Sequence, residues 1–160
     1  MKLDTYNQES VLDYPRPPRL EPEARPVKIL LNGEIIVESS RAVRVLETSH
    51  PPNIYVPFED VAQGVLEKNP HRTTCEWKGT ADYWNVGAAA MTVPAAAWSY
   101  ARPRAGYEAL AGFVSFYPGP MEACYLGNEI VTPQPGQFYG GWITAEIKGP
   151  FKGGEGTWAW

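Results

Sequence analysis

A mainly β chain of short antiparallel strands is what this sequence predicts, and three observations carry the prediction. Sixteen prolines and fifteen glycines in 160 residues break up any long helix, which favours many short elements joined by turns. The run VKILLNGEIIVES (residues 27–39) sets two β-rich segments around Asn32-Gly33, the pair best suited to a type I′ hairpin turn. No alternation of strands with long helical patterns supports a parallel sheet. About nine or ten strands with one or two short helical turns therefore form an antiparallel barrel or a sandwich-like pair of sheets.

Residues 1–26 hold prolines at 15, 17, 18, 22 and 26. That density forbids a helix or a central strand and favours an extended, polyproline-like arm. The arm either hangs loose or lies over its own domain or a partner subunit, with Tyr6, Leu12, Tyr14 and Leu20 as anchors. After the hairpin, RAVRVLET (41–48) reads as a third strand with Arg44 on the face opposite Val43 and Val45. Pro51-Pro52 ends it, and NIYV (53–56) gives a fourth. In PFEDVAQGVLEKN (57–69), Pro57 suits a first helical turn and Glu59 and Asp60 its positive end, before Gly64 interrupts. One helical turn is expected, then a strand through Val65 and Leu66, then a turn at Asn69-Pro70.

The centre of the chain reads as strand TTCEW (73–77), a turn at Lys78-Gly79, and strand TADYWNV (80–86). The alanine-rich GAAAMTVPAAA (87–97) is expected to be a loop leading into the strand AWSY (97–100), which Arg102-Pro103 breaks. GYEALAG (106–112) can make a short helix before the strand FVSFY (113–117), and MEACYLG with Asn128 and EIV suggests one more hairpin. Residues 132–160 are rich in glycine and proline but also carry Phe138, Tyr139, Trp142, Phe151, Trp158 and Trp160. Flexible linkers are not built that way, so this extension is expected to pack on the core or on a partner subunit. The organisation is thus an arm (1–26), a core domain (27–131) and a C-terminal extension (132–160).

Composition excludes several classes. The net charge is −4 and no Lys/Arg block exists, so there is no electrostatic footprint for nucleic acid; Arg102 and Arg104 read as solvated loop charges. No apolar run approaches the roughly 20 residues of a membrane-spanning helix, and MKLDTYNQES lacks the apolar core of a signal peptide. Cys75 and Cys124 are too few and too far apart for a secreted disulfide framework. A soluble, cytoplasmic protein is expected.

Reactive chemistry finds thin support. His71 and Cys75 have tolerable metal-ligand spacing, and His50 and Cys124 could complete a tetrahedral set, but nothing clusters the four in sequence; no metal and no cofactor is expected. Cys75 as a nucleophile needs a base. His71, four residues along a strand, stands about 13 Å away, which leaves His50 as the freer partner. The close acid pairs weighed are Asp4/Glu9, Glu21/Glu23 and Glu59/Asp60, of which the first two sit in the arm and the third suits a helix start, and GPFKGGEGT (149–157) lacks the spacing of a phosphate-binding loop. The aromatic residues carry more. On strand alternation Trp98 and Tyr100 share a face, whereas Tyr83 and Trp84 point to opposite faces, so one of that pair is core and the other can line a pocket.

LETSHPPNIYVPFEDV (46–61), TTCEWKGTADYW (73–84), WSYARP (98–103) and AGFVSFY (111–117), following an Arg-Ala at Arg41, resemble in that order the bacterial domain of unknown function 427 family. The resemblance covers roughly residues 27–131. It departs where the family has Cys-Pro before its Lys-Gly and this chain has Cys75-Glu76-Trp77. It implies a β-tent type of fold, two antiparallel sheets joined along one edge, and brings no established activity, although a nucleotidyltransferase label is sometimes attached to the family. β-tent relatives include modules that hold small ligands in aromatic cages. The resemblance therefore points to a pocket for a small molecule or peptide built from Tyr83, Trp84, Trp98 and Tyr100, with Arg41, Glu47 and Lys78 at its mouth. Arg41 and Glu47, six apart on one strand, would share a face. Two other readings stay open: an enzyme using Cys75, Lys78 or Glu47, and a homodimer clasped through the arm and the tail.

Overall fold

The computed structural model describes residues 8–135 and 139–153. Fifteen strands run in chain order: β1 (Glu9–Ser10), β2 (Arg19–Pro22), β3 (Val27–Leu31), β4 (Glu34–Ser39), β5 (Val43–Leu46), β6 (Asn53–Pro57), β7 (Leu66–Cys75), β8 (Gly79–Ala88), β9 (Met91–Ser99), β10 (Phe113–Phe116), β11 (Ala123–Leu126), β12 (Glu129–Ile130), β13 (Thr132–Pro133), β14 (Trp142–Ile143) and β15 (Ile147–Lys148). Among the described residues the helical content is three single 3-10 turns at Val11–Asp13, Phe58–Asp60 and Glu108–Leu110, and no helix there is long and apolar enough to cross a membrane.

Two antiparallel sheets form the body. One has seven strands in the order β2-β5-β6-β10-β9-β8-β7, the other four in the order β12-β11-β3-β4. Two short ribbons, the parallel β1-β15 and the antiparallel β13-β14, lie outside these two sheets. Both large sheets are open, so the protein is a β-tent-like fold and not a closed barrel.

Strand alternation explains where the core lies. Ile54 and Val56 on β6 and Val114 and Phe116 on β10 face the four-stranded sheet and meet Ile29, Leu31 and Val37. Tyr55, between them, faces the other way and joins Val45, Ala81, Tyr83, Trp98, Tyr100, Tyr107 and Leu110. Period-two alternation thus buries both faces of the central strands. The second face is the one that holds the site.

The Asn32-Gly33 turn has φ of 50° and 80°, as a type I′ turn requires. Two local expectations differ from the structure. Asn69-Pro70 is not a turn: the ladder between β7 and β8 shifts register between Asn69 and Arg72, so the proline is absorbed in a bulge on an edge strand, where its missing N–H costs no ladder bond. The alanine-rich segment is not a loop either. β8 and β9 pair down to Ala88 and Met91, and Ala89 takes the positive φ (53°) of the hairpin turn. Small side chains suit this ladder because Ala88, Ala96 and Ala97 are buried against the inter-sheet core.

The described part of the arm, residues 8–26, packs on the core of the same chain. β2 pairs with β5 as the edge of the large sheet, a place that tolerates Pro22. Val11 and Tyr14 pack with Leu46 and Ile147, and Tyr107 Oη donates to Pro18 O at 2.7 Å. Of the expected anchors, Tyr14 is buried, Leu20 is partly buried and Leu12 is half exposed, while Tyr6 lies outside the described residues. In the extension, Trp142 is buried in the inter-sheet core and Phe151 packs partly buried on the arm cluster; Phe138, Trp158 and Trp160 lie outside the described residues.

Candidate functional site

A cavity of about 300 Å³ opens on the second face of the large sheet. Its walls come from neighbouring strands. Tyr83 on β8 is paired in register with Trp98 on β9, and Tyr100 follows two residues on, on the same face as Trp98. Trp98 is fixed from two sides: its Nε1 donates to Tyr55 Oη at 3.0 Å, and its ring lies 4.6 Å from that of Tyr117. Tyr83 Oη is 3.0 Å from Thr73 Oγ1 on β7. Burial pushes the phenols of Tyr55, Tyr100 and Tyr117 well above the usual tyrosine range, so they stay neutral.

Lys78 sits in the turn between β7 and β8 and is only 5% exposed. Its carbonyl accepts from Arg104 N at 2.9 Å, and Gly79 follows at φ 115°, where a Cβ would meet Arg102 O at 3.3 Å. This close packing holds the turn and aims the lysine side chain at the cavity it lines. Lys78 Nζ lies 6.0 Å from the Tyr100 ring centroid, and no ion pair with a carboxylate forms among the described residues.

The C-terminal extension closes one side. Gly140 passes so near Trp98 that a Cβ there would lie 2.3 Å from the end of the indole ring. Gln134 Oε1 accepts from Gly141 N at 3.0 Å, and its Nε2 donates to Lys152 O at 2.8 Å. These two backbone partners fix the amide orientation. The remaining Nε2 hydrogen therefore points to His50 Nδ1, 3.2 Å away, which must act as an acceptor.

A neutral His50 follows. Its pKa falls to about 4, first through burial and then through Lys152, Lys78 and Arg16. In the unfolded chain the group titrates near 6.5, so between pH 6.5 and 4 the unfolded state binds the proton that the folded state refuses. Stability is then complete above pH 6.5 and declines as the pH falls toward 4, by about 2 kcal/mol once partial exposure is allowed for. Urea unfolding of the wild type and of His50→Gln across this range checks it: the variant should lack this part of the acid loss, and an NMR titration of the His50 ring should give a midpoint well below 6.

A second cavity of about 460 Å³ adjoins the first, lined by His71, Pro94, Ala95, Pro120 and Pro133. Tyr83, Tyr117, Gln134 and Tyr139 line both. Ala95 there takes φ 50°, with its N–H bonded to Asn85 Oδ1 at 3.0 Å.

Of the residues expected at the site, Glu47, Lys78, Tyr83, Trp98 and Tyr100 line the first cavity, as do Cys75 and His50. Arg41 and Trp84 do not. Trp84 is the member of the Tyr83/Trp84 pair that faces the inter-sheet core, where Nε1 donates to Ser99 Oγ at 2.9 Å and the ring stacks edge-on to Phe58. Arg41 precedes β5 instead of lying on it, so alternation cannot carry it to the face of Glu47; it pairs with Asp60 and Glu59 at 2.8 and 2.9 Å. His71 lies in the adjoining chamber, its ring 4.7 Å from that of Tyr83, and Cys124 is buried in the inter-sheet core. Among the described residues no group of three or more His, Cys, Asp or Glu side chains is placed to hold a metal ion. Sequence reasoning missed Tyr55, Tyr117, Gln134 and Tyr139. The first two carried a signal as aromatics within short strands, Tyr139 only as one of the aromatics of the extension, and Gln134 none.

Two open antiparallel sheets with a pocket on the outer face of the larger one define a β-tent-like domain. The chain belongs to the family described as domain of unknown function (DUF427), whose model matches residues 19–127. That match starts at β2 and ends just after β11, so Gln134, Tyr139 and Gly140 of the cavity wall lie beyond it. Among curated proteins none matches this chain.

Proposed function

We propose that this protein binds a small molecule in the cavity between Trp98, Tyr100, Tyr83 and Lys78. The observation that carries the reading is the convergence of three aromatic rings and the side chain of Lys78, a residue only 5% exposed, on a concavity of about 300 Å³, the lower end of the range typical of small-molecule sites. The rings come from paired strands whose hydrogen bonds fix their positions, so the walls exist before any ligand arrives and little ordering is lost on binding. A half-open hollow of this small volume suits a small molecule better than an extended peptide, which needs a long groove or a sheet edge. The two free cysteines support a reducing, cytoplasmic setting for this activity.

Native mass spectrometry of gently prepared protein tests the proposal. A bound mass should accompany the wild type and be lost from Trp98→Ala, with Trp98→Phe retaining it in part. Circular dichroism establishes that both variants fold. Equal retention of the mass in a folded Trp98→Ala protein would place the ligand elsewhere.

A further inference from the structure

Building on that pocket, we infer that its ligand is a small planar carboxylic acid, with the carboxylate at Lys78 and the ring against Trp98 and Tyr100. The starting point is the lysine itself. Lysine is almost never this buried as a residue without a partner, and an ammonium facing a hollow instead of bulk water favours a counter-anion there. Lys78 is 5% exposed and has no carboxylate within ion-pair distance among the described residues, yet it lines a cavity. Glu47 lines the same cavity and does not reach it. The charges felt at His50 next door, from Lys152, Lys78 and Arg16, are all positive. Lys152 lines this space as well, so the hollow presents two lysines against one carboxylate, with aromatic walls, which is complementary to an anion carrying a π face.

Lys78 and Lys152 against the Glu47 carboxylate leave one positive charge in the lining, so a single negative charge fits better than two. No arginine lines the cavity, whereas phosphate sites recruit guanidinium forks or rows of backbone N–H groups. Glu47 in the wall also opposes a second negative charge. The adjoining chamber, lined by Pro94, Ala95, Pro120 and Pro133, offers apolar room for a substituent on the far side of the ring.

Four probes on the intact wild-type chain decide the matter by isothermal titration: benzoate, phenyl phosphate, benzyl alcohol and benzylammonium. Benzoate should bind at least tenfold more tightly than benzyl alcohol or benzylammonium and more tightly than phenyl phosphate. In Lys78→Met its advantage over benzyl alcohol should fall below twofold, and in Lys78→Arg it should persist. Tighter binding of phenyl phosphate overturns the carboxylate, and equal or tighter binding of the alcohol or the amine overturns the anion; in either case the pocket itself stands. If none of the four binds, the acid is overturned, and the co-purified mass then decides separately whether the pocket survives. The wild-type series needs no variant, so a misfolded Lys78→Met protein leaves the ranking of the four probes decisive.

Discussion

Replacing Trp142 with alanine will lower the unfolding free energy by about 3–5 kcal/mol. The side chain is 1% exposed and belongs to the inter-sheet cluster with Phe116, Met121 and Val131. Its loss removes one of the largest buried apolar surfaces in the protein and leaves a void that rigid neighbouring strands cannot collapse to fill. It also removes the indole N–H that donates to Phe116 O at 3.1 Å, orphaning a buried carbonyl. The backbone N–H of Trp142 remains bonded to Pro52 O, so the segment should stay docked while the core loosens. A drop in urea midpoint at constant slope is the expected signature. A change below about 1 kcal/mol would mean that the extension is not part of the core. Because Trp142 lies outside the span matched by the family model, this result would also show that the family domain in this chain is completed by residues beyond it.

The contrast between legible and illegible parts follows sequence distance. The β3–β4 hairpin is encoded by two residues, Asn32 and Gly33, whose backbone preferences are local. The sharing of a face by Trp98 and Tyr100, and the division of Tyr83 from Trp84, follow from period-two alternation along β9 and β8. Lys78 stands out because it occupies the turn between two aromatic strands. Alternation does not say which face of β8 meets the second sheet; that depends on β3 and β4 packing from elsewhere. The β8–β9 hairpin is hidden because alanine is a poor strand former, and only the tight inter-sheet space favours it there. Alternation misplaces Arg41 because β5 begins two residues later than the hydrophobic pattern suggests, and the phase is lost at the boundary. Gln134 and Tyr139 reach the cavity through a glycine-lined approach that no local rule describes. Gly140 gives the clue only after Trp98 is seen beside it.

Replacing Arg44 with methionine should cost about 2–3 kcal/mol and loosen the N-terminal arm before anything else. Arg44 sits on β5 directly opposite Glu21 on β2, and its guanidinium bonds Glu21 through Nε at 2.7 Å and Glu9 through Nη1 and Nη2 at 3.1 and 2.9 Å. One arginine therefore ties the edge strand and β1 to the body of the large sheet. Its side chain is 12% exposed, whereas those of Glu9 and Glu21 are 35% and 33% exposed, so the cost should fall short of that for a fully enclosed pair. Burial alone would raise the Glu9 carboxyl, but hydrogen bonds from Arg44 and Tyr14 outweigh it and hold the group below the usual range. A depressed carboxyl contributes stability above its unfolded pKa and loses it as the pH falls through the folded value. Without Arg44 a large part of the lowering is lost, and the acid transition of Glu9 should move to higher pH. Amide exchange at residues 9–14 should quicken in Arg44→Met while that of β8 and β9 stays slow. Adding Glu9→Gln should recover part of the loss, because the stranded charge is then gone. If the arm stays protected and the double variant is no better than the single one, the guanidinium is not what fastens it.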